Sequence, residues 1–145
     1  MANWDEILME VAKTFAKKSK DRSTKVGAAI VDANKNVRAL AYNGLPRNVT
    51  HASERRLRPL KYLYTSHAEE NAICSCARIG IPTEGCSLYV TSMIPCSNCA
   101  RLIIQAGIIE VVVETMKTPK RWRESADAAL KMFNEAGVVI REIEK

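Results

Sequence analysis

SLYVTSMIPCSNCARLIIQAGIIEVVVE, residues 87–114, holds a short β-branched run, a helical stretch preceded by a proline, and a second β-branched run. Ser87 to Thr91 reads as a strand, Cys96 to Ala106 as a helix with Pro95 just ahead of it, and Ile109 to Glu114 as another strand. The alternation continues outward in both directions. Trp4, Ile7, Leu8, Val11, Ala12 and Phe15 recur at helical spacing and predict an amphipathic helix over about residues 3–19. VGAAIVDANKNVRALAYNG, residues 26–44, gives two apolar runs, 26–31 and 37–42, separated by DANKN, the pattern of a hairpin. Residues 67–79 form a helix, and residues 122–136 form a last one, ended by Gly137 ahead of the strand VVIREI. Helices interleaved with short β-branched strands imply one sheet covered by helices on both faces. In such sheets ligands sit at strand ends, near helix N-termini.

Length and composition set the class. A chain of 145 residues buries a continuous core without disulfide support, and 47% hydrophobic with 26% charged residues are ordinary globular values. No internal repeat or linker divides it, so one domain over residues 1–145 is expected. No apolar run approaches the roughly 20 residues of a membrane helix, and the amphipathic start is unlike a signal peptide, so a cytoplasmic protein is expected. Residues 44–64 turn polar and arginine-rich, too long for a plain connection, and read as a lid or binding loop. The net charge of +6 and pI near 9.2 favour anionic partners, either phosphorylated small molecules or nucleic acid.

Two short motifs fall where ligands are expected. SHAEEN opens the helix at 67 and sets His67 two residues before Glu69; PCSNC sets Cys96 and Cys99 on one side of a helix start. The C-x-x-C spacing suits tetrahedral zinc, and a helix N-terminus favours the thiolate that a metal requires. His67 is the natural third donor. Three protein ligands leave one position for water, the mark of a catalytic zinc, and Glu69 then stands beside that water as proton carrier. H-x-E followed by P-C-x-x-C is the known signature of zinc nucleobase deaminases. The other cysteines, Cys74, Cys76 and Cys86, read as small core residues, and His51 as a solvated loop histidine.

With SKDRSTKVGAAIV (19–31) and AYNGLPRNV (41–49) added, the sequence resembles the deoxycytidylate deaminases of the cytidine deaminase superfamily, from about Trp4 to Arg141. The resemblance implies a three-layer α/β/α sandwich with a central mixed five-stranded sheet, and one zinc ion per chain. Some members carry a second, structural zinc, but KYLYTS (61–66) supplies no ligands for it. The implied reaction is dCMP plus water giving dUMP, destined for thymidylate synthesis, plus ammonia, with Glu69 passing protons to ring N3 and to the departing amine. Backbone groups of Ser66 and Ile94 would meet the base edge, and Asn43 the deoxyribose 3′-hydroxyl. The KDRSTK segment offers donors for the 5′-phosphate, Arg22 and Thr24 foremost. Many members are homo-oligomers regulated by dCTP and dTTP, and Gly44, Pro46 and Arg78 match the regions involved. The arginines of 54–61 raise dCTP as an additional substrate. Two other readings are a nucleic-acid deaminase like the tRNA adenosine deaminases, against which 6% aromatics argues, and a catalytically silent module with a structural zinc.

Overall fold

The computed structural model describes residues 2–143; the reading of one domain over 1–145 also takes in residues 1, 144 and 145, which lie outside the described residues. Five strands, β1 (Gly27–Val31), β2 (Val37–Tyr42), β3 (Ser87–Val90), β4 (Glu110–Val113) and β5 (Val139–Glu142), form one sheet in the order β2-β1-β3-β4-β5. β1 runs antiparallel to β2 and β3, whereas β3, β4 and β5 are parallel. The sheet is therefore mixed. Helices α1 (Trp4–Ala16), α3 (Ala68–Ile79), α4 (Ser97–Gln105) and α5 (Arg123–Ala136) fall close to the expected spans. Between β2 and α3, the long segment folds into a 3₁₀ turn at Ser53–Arg56 and the short helix α2 (Lys61–Tyr64).

Every residue of β1 is buried, because the strand has neighbours on both edges and helices on both faces. Side chains alternate along a strand, so Ala29 and Val31 face one layer and Ala28 and Ile30 the other. Ala29 and Val31 pack with Tyr89, Val112 and the α1 residues Leu8, Met9 and Ala12. Ala28 and Ile30 join the larger cluster built from α3, α4 and α5, including Ala72, Ile103 and Phe133. The three expected layers are present.

Two sequence expectations are corrected. Within α1 the buried set is Asp5, Leu8, Met9, Ala12 and Ala16, whereas Trp4, Ile7 and Phe15 stay exposed. Leu8, Met9 and Ala12 face the sheet, and the close approach of the helix falls at the small residues Ala12 and Ala16. Cys74 is exposed, while Cys76 and Cys86 are buried as expected. Ala68, Ala72 and Cys76 mark the inner face of α3, and a residue two positions from Ala72 is rotated about 200° away from it.

Side-chain bonds tie the layers together. The buried Asp5 carboxylate accepts from the Tyr89 hydroxyl at 2.8 Å and from both terminal nitrogens of Arg141 at 2.5 and 3.0 Å. Arg141, on β5, also donates to Glu110 on β4 at 3.0 Å. Thus the first helix is pinned to three strands.

The close approach of α1 to β1 occurs at Gly27, where a Cβ would lie 1.8 Å from the Ala12 carbonyl oxygen and 3.0 Å from the Ala16 nitrogen. Both are backbone atoms, so no rotamer change relieves the clash. Gly27→Ala is expected to destabilise the protein by about 3 kcal/mol, the upper part of the overpacking range. Urea denaturation measures it, and a variant within about 1 kcal/mol of wild type contradicts this account of the contact.

Candidate metal centre and catalytic cavity

His67 and Cys96 occupy the same local position in two helices. Each is an N-cap with extended backbone, His67 at φ −75°, ψ 154° ahead of α3 and Cys96 at φ −67°, ψ 165° ahead of α4. Glu70 fixes the first by accepting from the His67 backbone N–H at 2.6 Å, while the Cys96 sulfur accepts from the Cys99 N–H at 3.5 Å. A further brace was not foreseen from sequence: the Ser125 hydroxyl, in the first turn of α5, accepts from Ser97 N–H at 2.8 Å. It holds the start of α4 from the neighbouring helix.

These helix starts converge. His67 Nδ1 lies 3.3 Å from Cys99 Sγ and 3.6 Å from Cys96 Sγ, and all three donor atoms fall within 4.8 Å of one another. Tetrahedral bonds of about 2.3 Å to sulfur and about 2.0–2.1 Å to nitrogen separate N from S by about 3.5 Å. The donor set thus fits one zinc ion, with accessibility declining from exposed His67 through half-buried Cys96 to buried Cys99. Among the described residues this is the one group of three such donors.

The protonation pattern follows from the crowding. A hydrogen bond to Cys96, reinforced by the nearby Glu69 and Glu70 carboxylates against the effect of burial, raises the His67 pKa to about 9. The hydrogen bond between the two cysteines brings Cys96 down to about 4 and pushes Cys99 well above the usual thiol range. Without a metal, one sulfur is a thiolate, the other keeps its proton, and the imidazole is protonated. Burial also raises the pKa of Glu69, partly offset by the positive charge of His67. No other side chain among the described residues hydrogen-bonds the Glu69 carboxylate, which borders the same cavity as the donors.

That cavity measures about 550 Å³ and is walled by Thr24, Asn43 and Ile94, with His67 and Cys96 on its floor. Of the residues expected to bind substrate, these three border it and two do not. The Ser66 N–H is bonded to the Gly44 carbonyl at 2.8 Å, and Thr65 stands in the wall in its place. Arg22 is exposed and outside the lining. The Asn43 side chain ties two backbone groups, its Oδ1 accepting from Val26 N–H and its Nδ2 donating to the Thr24 carbonyl, each at 2.9 Å. One amide hydrogen remains for a ligand. The 44–64 segment, expected as a lid or binding loop, contributes Arg58, Lys61 and Tyr62 to the wall, and Arg121 and Trp122 ahead of α5 are the members that no motif indicated.

A mixed α/β/α sandwich carrying a His, Cys, Cys metal set and a buried glutamate on one cavity defines a hydrolase of the zinc deaminase class. The family model described as the cytidine and deoxycytidylate deaminase zinc-binding region matches residues 2–115. Human deoxycytidylate deaminase is 39% identical over 146 residues, covering 96% of this chain and 79% of the human protein. An uncharacterized deaminase of Aliivibrio fischeri is also 39% identical, over 97% of this chain and 93% of its own. The crystal structure of dCMP deaminase from cyanophage S-TIM5 in complex with dCMP and dUMP superposes with a TM-score of 0.77 at 25% identity, covering 95% of each chain. The chain belongs to the cytidine and deoxycytidylate deaminase family.

Loading the site with metal requires the donors to shed protons, which gives a test. At neutral pH His67 and Cys99 each hold a proton that zinc displaces, whereas Cys96 is already ionised. Zinc affinity should therefore rise with pH by about a hundredfold per unit between pH 6 and 8, corresponding to two protons. Chelator competition at several pH values reads this slope; an affinity independent of pH would contradict the protonation pattern.

Proposed function

We propose that this protein catalyses the hydrolytic deamination of dCMP to dUMP and ammonia in the cytoplasm, providing dUMP for thymidylate synthesis. The observation that carries the reading is the meeting of His67, Cys96 and Cys99 within 4.8 Å beside the buried Glu69 on a single cavity of nucleotide size. Similarity to human deoxycytidylate deaminase and to the cyanophage enzyme, whose structure contains dCMP and dUMP, supports this choice of base and nucleotide.

Zinc held by His67, Cys96 and Cys99 supplies, when bound, a water that ionises near neutral pH. The chain's own residues do the rest. Ile94, buried at the cavity wall, gives the flat faces of the cytosine ring an apolar surface. Asn43 offers its remaining amide hydrogen to the sugar, and Thr24 stands beside it. Glu69 takes a proton from the attacking water and passes it to N3 of the ring as C4 becomes tetrahedral. It then takes the second proton from the C4 hydroxyl of the tetrahedral adduct and delivers it to the exocyclic nitrogen, and the C4–N bond breaks to release ammonia as the C4 carbonyl forms. Burial raises the pKa of the Glu69 carboxyl, which favours its holding a proton between the two transfers.

The reading extends to a homo-oligomer answering to dCTP and dTTP. A second cavity of about 260 Å³ supports it, lined by Gly44 and Pro46 of the AYNGLP segment and by the basic side chains of Lys18, Lys20, Arg47 and Arg56.

General acid/base transfer of this kind is worth about 10²- to 10⁴-fold. Glu69→Ala is therefore expected to lower kcat for dCMP by at least about a hundredfold while zinc content per chain stays at the wild-type value. Turnover is followed by ammonia release and metal by elemental analysis. A variant with near-wild-type turnover removes Glu69 from the mechanism.

A further inference from the structure

Of the two foremost phosphate donors expected from KDRSTK, Thr24 borders the cavity whereas Arg22 lies outside it. The cationic side chains of lysine and arginine that do line it are Arg58, Lys61 and Arg121. Lys61 is not available. Its ammonium lies 3.2 Å from each oxygen of the Asp21 carboxylate, both residues are buried, and withdrawing Lys61 would leave a buried carboxylate unpaired. Arg58 and Arg121 are exposed and have no ion-pair partner among the described residues. The mouth of the cavity therefore keeps two uncompensated guanidinium groups.

Those groups come from segments far apart in the sequence, brought together by one ring contact. Tyr62 of α2 and Trp122, which precedes α5, meet edge to face with centroids 6.1 Å apart, and the Arg121 guanidinium lies 5.6 Å from the Trp122 ring centre. The contact brings the two segments together on the wall of the cavity that the metal donors His67 and Cys96 also line.

We propose that Arg58 and Arg121 are the specificity-determining residues that select a nucleotide bearing a 5′-phosphate over the bare nucleoside, and that Tyr62 and Trp122 position them. This rests on the deaminase reading above and names what that reading left open. A guanidinium presents its N–H groups in a planar fork that matches phosphate oxygens in pairs, and two such groups balance one phosphate dianion. A nucleoside has no group to engage them, so their contribution is confined to the phosphorylated substrate.

The test compares kcat/KM for dCMP and deoxycytidine in the zinc-loaded wild type and in Arg58→Ala, Arg121→Ala and the double variant. Arg123→Ala is the control, because it removes an equal charge one residue from Trp122 but outside the cavity lining. Each rim variant is expected to lose about ten- to a hundredfold on dCMP, as for hydrogen bonds to a charged group, and nothing on deoxycytidine. Arg→Lys at either position should recover part of the loss, and Arg123→Ala should leave the substrate ratio unchanged. Trp4 and Trp122 are the two tryptophans, so in a Trp4→Phe background the emission of Trp122 should respond to inorganic phosphate and cease to respond in the double variant. Equal losses on both substrates, a selective loss in Arg22→Ala instead, or an Arg123→Ala effect matching that of the rim would overturn the assignment. A wild type that deaminates dCMP while the rim variants match it refutes the rim alone. A wild type inert on both substrates refutes the deaminase reading, and the Trp122 response to phosphate then decides the rim.

Discussion

The convergence of two helix N-termini on one point is the constraint from which the rest of this molecule follows. His67 and Cys96 are the residues just before α3 and α4, where the backbone is still extended and the side chain is free to turn across the helix end. Cys99 belongs to the first turn of α4. Partial positive charge at both helix ends makes a thiolate cheaper there than elsewhere on the chain, and the same charge would repel a cation were the sulfurs not ionised. Position and electrostatics thus agree on a metal bound through anionic sulfur. The same helix start carries the buried Glu69, two residues after His67, to the cavity wall.

Holding two helix ends in register requires a rigid support, and the sheet provides it. α4 connects β3 to the parallel strand β4, so its start lies beyond the carboxyl end of β3. α3 lies against the same face, and its small residues Ala68 and Ala72 permit close packing. On the opposite face, the glycine at position 27 lets α1 approach until backbone meets backbone. The site is as firm as these contacts because none of the three donors lies on a mobile connection of its own. The 44–64 segment differs: exposed Tyr62, Leu63 and Tyr64 sit on a four-residue helix anchored through the single buried Lys61–Asp21 pair.

The helices, strands and metal ligands were legible in the sequence because each rests on short-range spacing. H-x-E and C-x-x-C place donors within one turn, and apolar period and glycine stops mark the element ends. What escaped was set by contacts between distant segments. Arg22 has the right chemistry and neighbours the right motif, yet it is not among the residues lining the cavity, whereas Arg58 and Arg121, 63 positions apart, both are. Ser66 adjoins a ligand, but its N–H was taken by Gly44, which no local pattern announces. Cys74 was misjudged by phase alone, since composition does not reveal which face of α3 meets the sheet. On α1 the same holds: Leu8 and Met9 are buried whereas Trp4, Ile7 and Phe15 are exposed, a phase that helical spacing alone leaves open.

Asp5 and Arg141 are 136 residues apart, yet their ion pair joins the first helix to the edge strand. β5 is the outermost strand on its side of the sheet, and its backbone ladder joins it to β4 alone. An open edge is a template for strands of other molecules. The arginine that ties β5 to α1 and β4 therefore holds this edge strand through side chains as well as through its single backbone ladder.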